Sequence, residues 1–123
     1  MSEQQHTANS EPELSETARI ARHLIRFDTS NRGGGDANPE SEAAEYVAGY
    51  LRGIGLNPVV IEAEPGRASV VARVSGSDPS LPALVLHGHL DVVPADPANW
   101  SVDPFAVGVK DCMRWGRGAV DMK

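Results

Sequence analysis

The chain has 123 residues, of which 41% are hydrophobic and 5% aromatic, so it holds at most one modest domain with a mainly aliphatic core. With 11 Lys and Arg against 17 Asp and Glu, the net charge is −6, and no basic cluster exists to attract nucleic acid or an anionic membrane. The single cysteine, Cys112, excludes an internal disulfide framework. Because the sequence also shows neither a secretory signal nor an apolar run of roughly 18 residues, we expect a cytoplasmic protein without a nucleic-acid or membrane partner.

Two amphipathic helices are predicted in the first half of the chain, after a flexible lead-in over residues 1–10. The first begins with Ser10 as its cap, because a glutamate follows three residues later as in a capping box, and it ends near Phe27. A loop of polar residues and glycines comes next. The second helix begins with Pro39 at its first position and ends at Gly55.

Three short apolar segments follow the helices. Residues 58–62 and 68–74 are rich in β-branched side chains and flank a Pro-Gly turn, so they predict a β-hairpin. Residues 83–86 have no polar face, which is typical of a central strand covered on both sides. The order of helices and strands predicts an α/β layered domain.

Polar side chains come directly after the third apolar segment, at His87, His89 and Asp91. In an extended backbone these side chains point the same way, so two imidazoles and a carboxylate face one side. Imidazole is a preferred zinc ligand, and a carboxylate often orients it through the other ring nitrogen. A lone histidine here would more often be structural, but the cluster favours His89 as a metal ligand. His87 lies nearest the buried strand and is predicted to be a core or hydrogen-bonded histidine.

The second polar cluster is the glycine-rich segment at residues 115–123. Its Gly116-x-Gly118 pattern is typical of a phosphate-binding loop, but the position of the third glycine is Asp121, whose charge would repel a phosphate. A turn that positions one carboxylate is the better interpretation. The alternative is that Asp121 caps a following helix.

The chain carries three motifs in a characteristic order: HGHLDVVP (residues 87–94), WSVDPF (100–105) and WGRGAVDMK (115–123). Together they resemble the aminoacylase / acetylornithine deacetylase / succinyl-diaminopimelate desuccinylase family of zinc-dependent metallohydrolases. Segment 24–31 is similar to the end of that family's first helix. The resemblance implies that residues 11–123 are the N-terminal, incomplete part of a zinc-peptidase-like layered catalytic domain, with helices packed on a mixed β-sheet.

The same resemblance implies a chemistry and a site. His89 would bind one of two zinc ions, Asp121 would bridge both, and Asp91 would be the catalytic residue that clamps the His89 ring. His87 falls outside the family's ligand set, and cobalt or manganese are alternative metals. The implied reaction is hydrolysis of an amide or peptide bond in a small N-acyl amino acid or peptide by a metal-activated water. The implied assembly is a homodimer formed through a separate smaller domain.

Two departures from the family pattern accompany these expectations. The remaining metal ligands, the general base and the smaller domain would all lie beyond Lys123, so we expect a fragment of a longer enzyme that is inactive by itself. Asp111-Cys112 stands where the family has Asp-Gly, a tight-turn signal, so the hairpin there is in question. Cys112 is not predicted to be a ligand.

Two other functions remain open from the sequence. Barrel-type metal amidohydrolases also place His-x-His after a strand, although they leave the 115–123 motif without a role. A non-catalytic α/β binding module with a lost metal site is the alternative outside catalysis.

Overall fold

The computed structural model describes residues 14–110 and 113–123. The first helix, α1, spans Glu16–Arg26, and Phe27 follows it, as predicted. Its cap is Ser15, whose Oγ accepts a hydrogen bond from the Ala18 N–H at 3.2 Å. The flexible lead-in, the predicted cap Ser10 and the lone cysteine at 112 lie outside the described residues.

The segment between the helices was predicted as a loop, and that prediction is wrong in part. It contains a short antiparallel pair, β1 (Asn31–Gly33) and β2 (Asp36–Ala37). The turn forms because three consecutive glycines, at 33 to 35, take positive φ values.

The second helix, α2, spans Ser41–Gly53 and is capped by Glu40, so it begins two residues after the predicted Pro39. The first helical hydrogen bond runs from the Ala44 N–H to the Glu40 carbonyl, and the Glu40 N–H donates to Gly66 instead. The helix ends as predicted, with Gly55 in the left-handed region at φ 89°.

The predicted hairpin is confirmed as β3 (Val59–Glu64) and β4 (Arg67–Val71), paired antiparallel with Val60 opposite Val70. It packs against α2. The buried face of α2 consists of small side chains that let the hairpin approach closely: Ala43, Ala44 and Ala48.

Residues 83–86 form no strand in the described structure, so the predicted central strand is wrong. Leu84, Val85 and Leu86 are 84%, 80% and 87% exposed. A strand exists only where another strand satisfies its backbone, and no described segment pairs with this one. The nearest pairing lies further on, in a parallel bridge between Ser30 and Val92.

A second hairpin lies near the end of the chain. Strands β5 (Gly108–Lys110) and β6 (Met113–Trp115) pair antiparallel, so the hairpin that the sequence left in question is present. Its connecting residues, 111 and 112, lie outside the described part. The α/β class is confirmed, as a small fragment in which the described residues form two helices and three antiparallel strand pairs.

One buried side chain connects the first helix to the C-terminal segment. Ile25 is 1% exposed, and a Cβ on Gly116 would lie only 2.5 Å from its Cγ2. The glycine therefore lets the chain after β6 pass directly over α1. No helix in the described residues is long and apolar enough to cross a membrane.

Candidate metal centre

Three of the predicted site residues meet in space. His89 Nε2 lies 3.1 Å from Asp121 Oδ1, although 32 positions separate the two residues in the chain. On the other side of the ring, His89 Nδ1 lies 2.8 Å from the backbone oxygen of Asp91 and 3.2 Å from its Oδ1. The imidazole therefore bridges the two acidic residues, one at each nitrogen.

The segment that carries His89 and Asp91 is held by the residues that follow α1. The Asn31 N–H donates to the Val92 carbonyl at 2.8 Å, and the Val92 N–H donates to the Thr29 carbonyl at 3.1 Å. Asn31 also donates from Nδ2 to Asp91 Oδ2 at 2.8 Å, while its own Oδ1 accepts from the Gly33 N–H at 2.9 Å. The Gly33 backbone N–H can only donate and the Asp91 carboxylate accepts, so the oxygen and the nitrogen of the Asn31 amide are both assigned. The bond from Asn31 therefore fixes the orientation of the Asp91 carboxylate.

The segment that carries Asp121 is a compact turn. The Ala119 N–H donates to the Gly116 carbonyl at 3.2 Å, and the Lys123 N–H donates to the Gly118 carbonyl at 2.8 Å. Gly118 has φ 87°, which disfavours any side chain at that position. The turn thus presents the Asp121 carboxylate, which is 82% exposed, to the ring of His89.

The charges at the site shift several pKa values. The pKa of His89 is raised, first by the hydrogen bond to the Asp91 backbone oxygen and then by Asp121, with partial desolvation opposing them. The pKa of Asp91 is lowered, mainly by the hydrogen bond from Asn31. Burial lowers the pKa of Lys123, against the attraction of nearby carboxylates. The site therefore favours an ionised Asp91 beside a cationic group.

The hydrogen-bonding pattern of His89 calls for a cation. A neutral imidazole has one N–H, yet both ring nitrogens of His89 face oxygen atoms of Asp91 or Asp121. If Nδ1 donates to Asp91, the lone pair of Nε2 faces the Asp121 carboxylate, and two acceptors lie together unless a proton or a metal ion joins them. The donor types, imidazole nitrogen and carboxylate oxygen, fit zinc.

The ligand set is nevertheless small. Within residues 14–110 and 113–123, no group of three or more His, Cys, Asp or Glu side chains is arranged to hold a metal ion. A catalytic zinc normally takes three protein ligands, and His89 and Asp121 supply two. His87 adds none: it is exposed, and its predicted place in a core is wrong because the segment before it is uncovered.

The site opens on a cleft of about 550 Å³. The Arg117 guanidinium lies over the Trp100 ring, 5.1 Å from its centroid, and both residues line this cleft. His89, Asp91 and Asp121 also line it, together with the polar side chains of Asn31 and Arg32. The dimensions suit a small molecule, since ligand pockets commonly measure about 300–1,000 Å³.

Three residues of this site were not identified from the sequence: Thr29, Asn31 and Lys123. The segment of the first two was noted only as similar to the end of the family's first helix, and Lys123 only as part of the last motif. No local pattern assigns them a role, because their partners lie 61, 60 and 94 positions away.

The C-terminal third of this chain matches a known protein family. Residues 85–123, which contain His89, Asp91 and Asp121, match the family model described as Peptidase family M20/M25/M40. This chain resembles that family. The resemblance predicted from the motifs is thereby confirmed.

Curated relatives include enzymes that act on different small molecules. The chain is 39% identical over 110 residues to succinyl-diaminopimelate desuccinylase of Methylobacterium radiotolerans, an alignment that covers 85% of this chain and 26% of the relative. It is 36% identical over 83 residues to acetylornithine deacetylase of Vibrio campbellii, covering 68% and 21%. It is 39% identical over 83 residues to aminoacylase-1 of Sus scrofa, covering 66% and 20%. The chain thus spans about a fifth to a quarter of the length of these relatives.

Proposed function

We propose that this chain supplies the first metal-binding segment of a zinc-dependent hydrolase that cleaves amide or peptide bonds. The observation that carries the proposal is the placement of His89 between two acidic residues, with Nε2 at 3.1 Å from Asp121 Oδ1. The match of residues 85–123 to a peptidase family supports it independently. So do the relatives, whose names describe a deacetylase, a desuccinylase and an aminoacylase.

Each residue then has a role. His89 and Asp121 would hold the metal, Asp121 would be shared between the two zinc ions of the complete site, and cobalt or manganese are alternative metals. Asp91 orients the His89 ring and keeps a negative charge behind it, which raises the basicity of the ligand. A metal bound here supplies a Lewis acid and a water of lowered pKa. Because two ligands do not make a catalytic zinc site, the 123-residue chain alone is expected to be inactive.

The proposed substrate is a small N-acyl amino acid or peptide, and the proposed setting is the cytoplasm. The cleft beside His89 has the volume for such a molecule. The net charge of −6 disfavours nucleic acid and anionic membranes as partners. A homodimer formed through a domain outside this chain completes the proposal.

The test is metal analysis of the full-length gene product, with two neighbouring histidines as a matched pair. His89→Ala is expected to remove one zinc per chain and to abolish hydrolysis of N-acyl amino acids, because it deletes a direct ligand. His87→Ala is expected to retain both metals, since His87 lies exposed outside the cluster. Equal metal loss in the two variants would overturn the ligand assignment.

The same measurement tests the non-catalytic alternative, and the fold bears on the barrel-type one. A protein that binds no metal and hydrolyses no amide would be the non-catalytic α/β module. A barrel-type amidohydrolase would require eight alternating strands and helices in the longer chain, and an antiparallel hairpin such as β3–β4 does not belong to that repeat.

A further inference from the structure

A series of hydrogen bonds lies next to the candidate site and involves none of its proposed metal ligands. Lys123 Nζ donates to Thr29 Oγ1 at 2.9 Å, and Thr29 Oγ1 donates to the Leu90 carbonyl at 2.7 Å. Thr29 is 1% exposed, so this contact is shielded from solvent. An ammonium group can only donate hydrogen bonds. The Thr29 hydroxyl therefore accepts from Lys123 and donates its own O–H to the Leu90 carbonyl.

These hydrogen bonds join the two segments that make up the site. Leu90 lies between His89 and Asp91, on one segment. Lys123 lies two residues after Asp121, on the other, and its N–H closes the turn on the Gly118 carbonyl at 2.8 Å.

The Lys123 side chain is also enclosed by packing. A Cβ on Gly118 would lie 2.7 Å from Lys123 Cγ and 2.8 Å from Val92 Cγ1. The aliphatic stem therefore passes between the turn and the segment beside Asp91, and only a residue without a Cβ leaves it room. The stem thereby brings the ammonium group to the buried Thr29 hydroxyl.

We propose that Lys123 is a positioning residue, which ties the turn carrying Asp121 to the segment carrying His89 and Asp91 through the Thr29 hydroxyl. The proposal rests on the proposed function, because it concerns the geometry of the same metal centre. Without the tie, the exposed turn keeps the packing of Gly118 on Val92 and of Met122 on Gly88, and a polar contact between Asp121 and His89. A carboxylate that is not held in place binds metal less tightly, because the binding energy then has to order the turn.

The test uses two nearly isosteric variants of the full-length gene product. Lys123→Met keeps the unbranched stem and removes the ammonium group, and Thr29→Val removes the hydroxyl. Each is expected to weaken zinc binding by the apo protein about tenfold, which is the usual scale for residues that orient a metal ligand without binding the metal. The double variant is expected to be no weaker than the single ones, because both remove the same tie. Thr29→Ser keeps the hydroxyl and is expected to bind zinc as the parent does.

A second readout does not depend on metal or on activity. Amide hydrogen exchange of residues 116–123 in the apo protein is expected to accelerate in both variants, while exchange in α1 and α2 stays unchanged. Arg52→Met is the matched control, since it removes a cation from an exposed ion pair with Glu45 on α2. It is expected to change neither zinc binding nor exchange of the turn.

Three results would overturn the proposal. The first is full zinc affinity in Lys123→Met, measured where His89→Ala abolishes binding of the same ion; the proposed function would then stand without the tie. The second is additive loss in the double variant. The third is unchanged exchange of residues 116–123 in both variants, which decides the matter even if His89→Ala shows that the metal assignment itself is wrong.

Discussion

Two apolar regions with similar composition have different fates in this molecule. The β-branched residues around 59–71 form a paired hairpin against α2, whereas residues 83–86 form no strand and lie exposed. The hairpin finds its partner across a two-residue turn, so its backbone hydrogen bonds are satisfied locally. Residues 83–86 have no such neighbour among the residues that the structure describes. Apolar composition predicts a strand, but the strand forms only where a second segment pairs with it.

The candidate metal centre is organised differently from both regions. Its segments are joined by one isolated parallel β-bridge, between Ser30 and Val92, and by side-chain hydrogen bonds between distant positions. Asn31 and Thr29 hold residues 90–92, and Lys123 holds the turn. We therefore expect this part of the molecule to be more sensitive to single polar substitutions than the hairpin is.

The largest expected effect is on Ile25, the buried side chain between α1 and the C-terminal segment. Ile25→Ala removes a fully buried side chain and is expected to lower the free energy of unfolding by about 2–5 kcal/mol. Leu84→Ala is the matched exposed change and is expected to cost less than about 0.5 kcal/mol in the 123-residue chain. Denaturant titration measures both. A large cost at Leu84 in the full-length protein would show that another segment covers residues 83–86 there.

The next effect concerns the orientation of His89. Asp91→Ala is expected to weaken zinc binding by about tenfold, at the low end of the usual range of about 10–100-fold. The loss is limited because the nearer partner of His89 Nδ1 is the Asp91 backbone oxygen, which the variant keeps. Zinc titration of the apo full-length protein measures it. A loss near 100-fold would mean that the carboxylate, rather than the backbone, fixes the ring.

A third prediction addresses the close approach at the glycine-rich turn. Gly116→Ala is expected to destabilise the fold by about 1–3 kcal/mol, because its Cβ would lie 2.5 Å from Ile25 Cγ2 and 3.3 Å from the Pro104 carbonyl oxygen. Gly49→Ala, on α2 with open space around its Cβ, is the control and is expected to be neutral or stabilising. Thermal unfolding of both variants distinguishes them, and equal melting temperatures would contradict the packing described here.

The smallest effect is a pH dependence at the cap of α2. Burial raises the pKa of Glu40 above its ordinary value of 4.5, although the Arg67 Nη1 lies 2.8 Å from Glu40 Oε1 and opposes the shift. Folding therefore favours the protonated carboxyl. The stability of the parent relative to Glu40→Gln is expected to fall as pH rises from about 4.5 through the raised pKa. Melting temperatures of both proteins across that range measure it. A relative stability that rises with pH would mean that Arg67 outweighs burial.

Much of the fold follows from local patterns. The end of α1 at Phe27, the stop of α2 at Gly55 and the β3–β4 hairpin were predictable because each depends on residues a few positions apart. The predicted helix starts were less accurate: α2 begins after Pro39, and the Glu40 N–H is bound by the Gly66 carbonyl, a distant partner in the β3–β4 turn. The candidate residues His89, Asp91 and Asp121 were identifiable from their motifs, and their role as a metal centre stays a prediction.

The sequence by itself determined the α/β class, the hairpin and the residue types that could bind a metal, because propensities, turn signals and side-chain chemistry act over short separations. Only the tertiary structure decided that His89 faces Asp121, that Asn31 holds Asp91 and that Lys123 reaches Thr29. The separation between the donor and acceptor of the last contact is 94 positions, and such contacts depend on how the segments pack. The same reason explains residues 83–86. Their apolar pattern predicts a strand, but strand pairing depends on the whole fold, and the described structure contains no partner for them.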